Sequence, residues 1–369
     1  MANDLSTPLT GRKRKPRTRR HWPVGRILLA VLVLIGAAVA ARLLLVDDPH
    51  GGRPSEEVAI TSTRNGNELA NAVSTGPVTI TADPQQYPAG ANATPPTPSS
   101  TTGAPDMFGA LPDLSEETAD GAIPRISAAG LTPFAAYARS AEAALASGKP
   151  MVAIVVSGLG INEQGSLSTI DQLPPEVTLA FAPYGKTLTT TVAAARSAGH
   201  EVLLEVPLEP FDYPQNDPGP QTLLTGEPTR SNLDKLFWLM ARFGGYAGLV
   251  NNMGARFTAS AADFSPIMEE LGARGLGYLD DGSSNRSLAP QLAQGNKVPF
   301  ARADLVIDAN PSRQSILAAL ASLEQAAVEN GQAIGMVSAL PISITAVAEW
   351  AGELEGKGIA LVPASALMK

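Results

Sequence analysis

The stretch Val152–Asn162, VAIVVSGLGIN, sets an unbroken apolar run against an abrupt tip at Ser157, Gly158 and Gly160. Continuous rather than alternating apolarity suits a strand covered on both faces, as in a parallel sheet. In such folds chemistry gathers at the carboxyl ends of the strands, so the tip decides what the run presents. A dinucleotide loop requires GxGxxG, but Gly158 and Gly160 are followed by Glu163 where the third glycine belongs. A GxxxxGK[ST] loop fails as well, because Gly160 and Gly165 lead into Ser166 and Leu167 and bring no cation to a phosphate. The glycines therefore read as a strand-to-helix turn with unusual dihedral angles.

Outward from this run, similar short apolar segments recur at Val177–Phe181, Val202–Val206, Ala247–Val250, Gly277–Leu279, Leu305–Ile307, Ile334–Val337 and Ile359–Val362. Segments of helical period lie between them. They are Leu188–Ala198, Asn232–Phe243 behind Ser231, Ala261–Leu271 behind Ser260, Ser312–Asn330 and Thr345–Lys357, each followed closely by a glycine. Strand then helix, repeated about seven times, predicts an α/β fold with a (β/α) barrel; an open doubly wound sheet has the same local pattern and stays open at this point.

The folded part is expected over residues 121–369, and what precedes it differs in kind. Residues 1–26 contain the basic block RKRKPRTRR, and residues 27–46 are apolar apart from Arg42. A spanning helix needs roughly 20 mostly apolar residues, which this run supplies if Arg42 snorkels to the interface. Basic residues before it and Asp47-Asp48 after it place the N-terminus in the cytoplasm and the rest outside, in the periplasm of an envelope with an inner membrane. Ala38-Val39-Ala40 resembles a signal-peptide cleavage site, but Leu43-Leu44-Leu45-Val46 continues the apolar character past it, which favours an uncleaved anchor. Residues 47–120, rich in Pro, Thr, Ser, Gly and Ala, bury too little to offset their ordering entropy and read as a disordered linker.

The chain has 369 residues, a formal charge of −8, no cysteine and three histidines, His21, His50 and His200. The absence of cysteine excludes disulfides and thiolate chemistry. The acidic balance argues against a nucleic-acid partner, and the basic block is accounted for by membrane orientation. His200 alone falls in the folded part and precedes its strand, so a two-histidine zinc site is excluded. An all-carboxylate site for a harder ion through Glu205, Asp280 and Asp308 stays open, but nothing in their spacing demands it, and no cofactor or metal is expected. No serine sits in GxSxG.

The strand ends carry Ser157, Tyr184, Glu205, Glu209, Asn251, Asn252, Asp280, Asp281, Asp308 and Ser338. Such an acidic, amide-rich and hydroxyl-rich rim suits hydrogen bonding to a carbohydrate. Glu205 or Glu209 against Asp280 or Asp281 would form an acid/base pair. The same Asp280-Asp281-Gly282-Ser283-Ser284 run also reads as a turn that satisfies loop backbone.

The segments VAIVVSGLG, LPPEVTLAFAPYG, AGHEVLLEVPLEPFDYP, LVNNMGARFTA, RGLGYLDDGSS, PFARADLVID and AIGMVSALP, in this order, resemble the divergent polysaccharide deacetylase family. The resemblance implies a distorted (β/α) barrel, an exported envelope protein and carbohydrate metabolism, with envelope polysaccharide or peptidoglycan as partner. It also marks departures. Where the metal-dependent pattern has Asp-Asp, this chain has Ser157-Gly158; where it has His in the third strand, Glu205; where it has Asn-His, Asn251-Asn252; and the late histidine position reads Ser338-Ala339-Leu340. Asp280 stands at the family's matching Asp. The metal ligands are thus replaced together, and three readings follow. One is an anchored glycan-binding domain, another a zinc-independent hydrolase using Glu205 and Asp280, and the third an envelope scaffold for a protein partner.

Overall fold

The computed structural model describes residues 109–369. The expected basic segment, the anchor at 27–46 and the linker up to residue 108 lie outside the described residues. Among the described residues no helix is long and apolar enough to cross a membrane.

Ordered chain begins earlier than the composition suggests. Ala110 and Leu114 are buried, and an antiparallel hairpin of β1 (Ser115–Thr118) and β2 (Gly121–Pro124) follows, so the linker boundary at residue 120 moves back. Two short helices, α1 (Pro133–Tyr137) and α2 (Glu142–Ala146), lead to the first long strand.

From there strands and helices alternate: β3 (Met151–Leu159), α3 (Glu163–Gln172), β4 (Thr178–Phe181), α4 (Leu188–Ser197), β5 (Val202–Leu208), α5 (Thr229–Met240) and β6 (Gly248–Met253). They continue as α6 (Ala261–Arg274), β7 (Gly277–Asp280), α7 (Ala289–Asn296), β8 (Phe300–Arg302), β9 (Leu305–Val306), α8 (Arg313–Asn330), β10 (Gln332–Ser338), α9 (Pro341–Ala351) and β11 (Ala360–Leu361). All strands from β3 onward pair in parallel, in the order β8-β7-β6-β5-β4-β3-β10-β9, with β11 beside the start of β3.

The sheet curls until one run of chain serves both its edges. Phe300–Arg302 pairs with β7, and Ala303 donates to Asp280 O at 2.8 Å. One residue later Asp304 N donates to Ile334 O at 2.8 Å, and Leu305–Val306 continues along β10. Counting that run once, the architecture is a curled parallel (β/α) barrel of about seven strands, as the strand–helix alternation predicts and with the distortion the family resemblance implies, rather than an open sheet. The Phe300–Arg302 half was not legible, because FARAD interleaves small and charged residues and has no apolar run.

Why the strands read as continuous apolar runs is explained by two cores. Val152, Ile154 and Val156 face outward into a layer shared with helix residues such as Ile170, Leu236, Leu320 and Val347. Ala153 and Val155 face inward with Ala180, Leu203, Leu279, Ala301 and Met336. The frequent alanines on the inward face fit a narrow interior, which side chains fill as in other small barrels. A turn at Ala364–Leu367 plugs the amino-terminal end, where Ala364 N donates to Thr178 Oγ1 at 2.9 Å.

Helix ends differ from the sequence expectation for local reasons. α9 starts at Pro341, suited to a first turn where its missing N–H costs nothing, and stops before Gly352 rather than running to Lys357. α3 escaped the periodic reading because EQGSLSTIDQ is largely polar and contains a glycine. Its start is capped by Asn162, whose side chain accepts from Gly165 N at 2.9 Å.

Candidate functional site

The tip of β3 turns as a glycine tip should. Gly160 has φ +85°, and a Cβ there would lie 2.6 Å from Leu188 Cδ2. Gly160 N–H donates to Ser166 Oγ at 2.9 Å, and Asn162 occupies the helix start, so the loop's donors are engaged by the protein itself. Gly158 is different. Its N–H donates to the Glu205 carboxylate across the mouth of the barrel.

At that mouth lies a cleft of about 410 Å³ bordered by Ser157, Gly158, Glu205, Asn251, Asn252, Asp281, Asp308 and Ser338, with Val306, Met336 and Leu340. A simple alternation selects the side chains that enter it. Ser157 is in phase with Val155, Glu205 with Leu203, Asn252 with Val250, Asp281 with Leu279 and Ser338 with Met336, all members of the inward core. Each therefore stands at or just past the mouth end of its strand on the inward face, where core gives way to solvent.

Glu205 is buried, and burial pushes its carboxyl up to about 7 against the opposing Gly158 hydrogen bond. Its second oxygen has no hydrogen bond among the described residues. Asp281 is also raised, by burial first, with hydrogen bonding to Ser283 and Asn251 opposing. The Asn252 amide makes no hydrogen bond among the described residues. Glu205, Asn252 and Asp281 thus keep hydrogen-bonding capacity for a ligand.

The other candidates are engaged elsewhere. Asn251 borders the cleft, but its Oδ1 accepts from Tyr278 OH and from Asp281 N, both at 3.0 Å, and its Nδ2 donates to Met253 O at 2.6 Å. Asp308 Oδ2 accepts from Ser338 N at 3.0 Å and from Ser343 Oγ at 2.7 Å, tying the end of β10 to the start of α9. Ser157 Oγ makes only a long contact, 3.4 Å, to Val337 O.

Three expected site residues do not reach the cleft. Asp280, in phase with outward Tyr278, is 1% exposed; its Oδ1 accepts from Gly282 N at 2.9 Å and its Oδ2 is a buried oxygen without a partner among the described residues. Of the adjacent pair, Asp281 rather than Asp280 shares the cleft with Glu205. Glu209 is a clamp: Oε2 accepts from Thr225 N and Oγ1 at 2.6 and 2.7 Å, and Oε1 pairs with Arg256 at 3.1 Å. Tyr184 donates its hydroxyl to Pro220 O and packs on Gly219, holding the same loop; burial pushes its pKa up.

The residues do not fit a catalytic metal. Among the described residues no three His, Cys, Asp or Glu side chains are grouped to hold one. His200 sits below β5 at the opposite end of the barrel, with Nδ1 2.8 Å from Val177 O. Strand-end reading missed Ser343, which lies inside α9, and gave no sign that Val306, Met336 and Leu340 form an aliphatic wall, because Val306 and Met336 read as ordinary strand core and Leu340 stood only within the late strand end.

Comparison with known proteins agrees with this architecture. The family model described as divergent polysaccharide deacetylase matches residues 154–368. The uncharacterized protein YibQ of Escherichia coli K12 is 23% identical over 241 residues, covering 64% of this chain and 74% of that protein. A solved structure, that of the uncharacterized protein ATU2773 from Agrobacterium tumefaciens C58, is 45% identical with a TM-score of 0.65, covering 67% of this chain and 99% of that one.

Proposed function

The chain belongs to the divergent polysaccharide deacetylase family, and from that premise we propose that it binds an envelope carbohydrate, a polysaccharide or peptidoglycan, in the cleft at the mouth of its barrel. The observation that carries the reading is the meeting of Glu205, Asn252 and Asp281, three inward side chains with unfilled hydrogen-bonding capacity, in one cleft. Polar groups left unpaired at a cleft wall are what a hydroxyl-rich ligand would satisfy. Metal-dependent deacetylation is not part of the proposal, because the donor set does not fit the ion.

Retention of the full chain on peptidoglycan sacculi and on soluble N-acetylglucosamine oligomers tests this reading. Loss of retention in Asn252→Ala and Glu205→Gln is the expected result. Failure of the unmodified chain to retain any envelope polysaccharide would overturn it and favour a protein partner at the same face.

A second reading rests on one further observation. A carboxyl at about 7 is placed to give and take protons near neutral pH. In a metal-free hydrolysis of an acetyl ester, Asp281, in place of the Asp280 expected from the sequence, would take a proton from the water that attacks the carbonyl carbon, and Glu205 would give its proton to the sugar oxygen as the C–O bond breaks. Turnover of an acetylated glycan that disappears in Glu205→Gln would support it, and full activity in that variant would remove Glu205 from the chemistry.

The cleft is placed outside the inner membrane in this proposal, with residues 27–46 as a single anchor and the N-terminus in the cytoplasm. The support is the basic flank and the apolar run. Protease added to intact spheroplasts should digest the C-terminal domain, and protection of that domain would refute the orientation.

A further inference from the structure

The cleft is divided between two kinds of wall. On the side built by β5, β6 and β7 stand Glu205, Asn252 and Asp281. On the side built by the closing run and β10 stand Val306, Met336 and Leu340. Asp308 and Ser338 also belong to that second side, but their polar atoms are turned on one another and on Ser343. Among the described residues no aromatic ring borders the cleft, so the apolar wall is aliphatic and offers no flat face for a sugar to stack on.

This wall stays open to solvent. Val306, Leu340 and neighbouring Ile342 are 48%, 42% and 41% exposed. Isolated exposed apolar side chains are ordinary, but a group continuous with a ligand cleft marks a surface meant to be covered. Ile161 and Phe211, also exposed, follow β3 and β5 at the same end of the barrel.

A free polysaccharide could set only the C–H faces of its rings against this wall, which offers them no flat aromatic surface, and would leave most of the aliphatic wall wet. A fatty acid alone would leave Glu205, Asn252 and Asp281 unanswered. We propose that the cleft takes an amphiphilic carbohydrate, a glycolipid whose sugar headgroup meets Glu205, Asn252 and Asp281 and whose acyl chain lies along Val306, Met336 and Leu340 toward Ile342. This deepens the carbohydrate reading above and rests on it.

The test uses the full chain in phosphatidylcholine nanodiscs, with empty nanodiscs as blank and three probes: octyl N-acetylglucosaminide below its micelle concentration, N-acetylglucosamine tetramer and octanoate. The octyl glycoside is expected to bind about tenfold or more tightly than the tetramer, since burying a few methylenes supplies that factor. Val306→Ser combined with Leu340→Ser should remove this advantage and leave tetramer binding unchanged, while Asn252→Ala weakens both. If the double variant fails to fold, Leu340→Ser alone carries the comparison, with an expected loss of about threefold. Equal binding of tetramer and octyl glycoside, untouched by the wall substitutions, would overturn the glycolipid assignment and leave the carbohydrate reading standing. Octanoate binding as tightly as the glycoside would also overturn it, and no binding of any probe would overturn both.

Discussion

Two glutamates four residues apart at β5, Glu201 and Glu205, are both buried, and they sit at opposite ends of the barrel. At the floor, Glu201 accepts from Ser365 N at 3.1 Å and from the Ser365 hydroxyl, from Thr178 Oγ1 at 3.1 Å and from Arg139 N at 3.2 Å. At the mouth, Glu205 accepts, among the described residues, from Gly158 N alone. A buried carboxylate with its lone pairs filled is a joint, here fastening the C-terminal plug and the α1–α2 segment to the barrel. A buried carboxylate left short of partners costs stability, and its retention marks a place where a ligand or a proton is handled.

Substitution at the floor should have the largest effect and is the first way to break this contrast. Glu201→Ala leaves the Ser365 and Thr178 donors buried without an acceptor, so unfolding should require about 3 kcal/mol less free energy or more. Thermal unfolding should fall by roughly 6–12 °C at this domain size. If Glu201→Ala unfolds with the parent chain, the floor is no joint.

Glu205→Gln should do the opposite, sparing stability while removing ligand binding. The pH dependence makes this sharper. The carboxyl is raised by burial from 4.5 to about 7 in the folded chain, so the folded state holds the proton more tightly than the unfolded one. Its stabilising contribution is complete below about pH 4.5 and is lost as pH rises through about 7. The difference in stability between parent and Glu205→Gln should therefore change by roughly 3 kcal/mol across that window and be flat above it. Equilibrium urea unfolding at a series of pH values reads it, and a flat difference throughout would show that Glu205 is not held in a desolvated state.

The next contrast lies within β6. Asn251→Ala removes partners from Tyr278, Asp281 and Met253 and should cost about 1–3 kcal/mol in urea unfolding. Asn252→Ala, one residue on, should stay within about 0.5 kcal/mol while weakening carbohydrate retention. Equal effects on stability would dissolve the distinction between the outward and inward members of the pair.

That distinction marks how far the sequence could be read. The repeated apolar runs carried the barrel, because burial on both faces leaves a signature in composition. The Phe300–Arg302 half of the closing run left none, since it mixes small and charged residues, whereas Leu305–Ile307 reads as an apolar segment. At the site, strand ends named Glu205, Asn252 and Asp281, which line the cleft, and gave Asn251, Asp280 and Glu209 the same standing. Period two along each strand separates Asn252 from Asn251 and Asp281 from Asp280. The clamp role of Glu209 depends on Thr225 and Arg256, which only the folded loop brings to it.

The smallest expected effect tests whether the second wall of the cleft is internally satisfied. Asp308 receives a short hydrogen bond from Ser343 Oγ at 2.7 Å and one from Ser338 N at 3.0 Å, whereas Ser338 Oγ stands off at 3.4 Å. Removing the Ser338 hydroxyl leaves the carboxylate with both strong donors, so Ser338→Ala should shift stability by no more than about 0.5 kcal/mol. Ser343 is fully buried, and Ser343→Ala strips a donor from a buried charge, with an expected cost of about 1–2 kcal/mol. Octyl glycoside affinity should survive Ser338→Ala, because Val306, Met336 and Leu340 remain to cover the chain. If Ser338→Ala instead weakened that affinity as much as Asn252→Ala, the hydroxyl would be meeting the ligand directly, and the wall of β10 would be polar in use as well as in sequence.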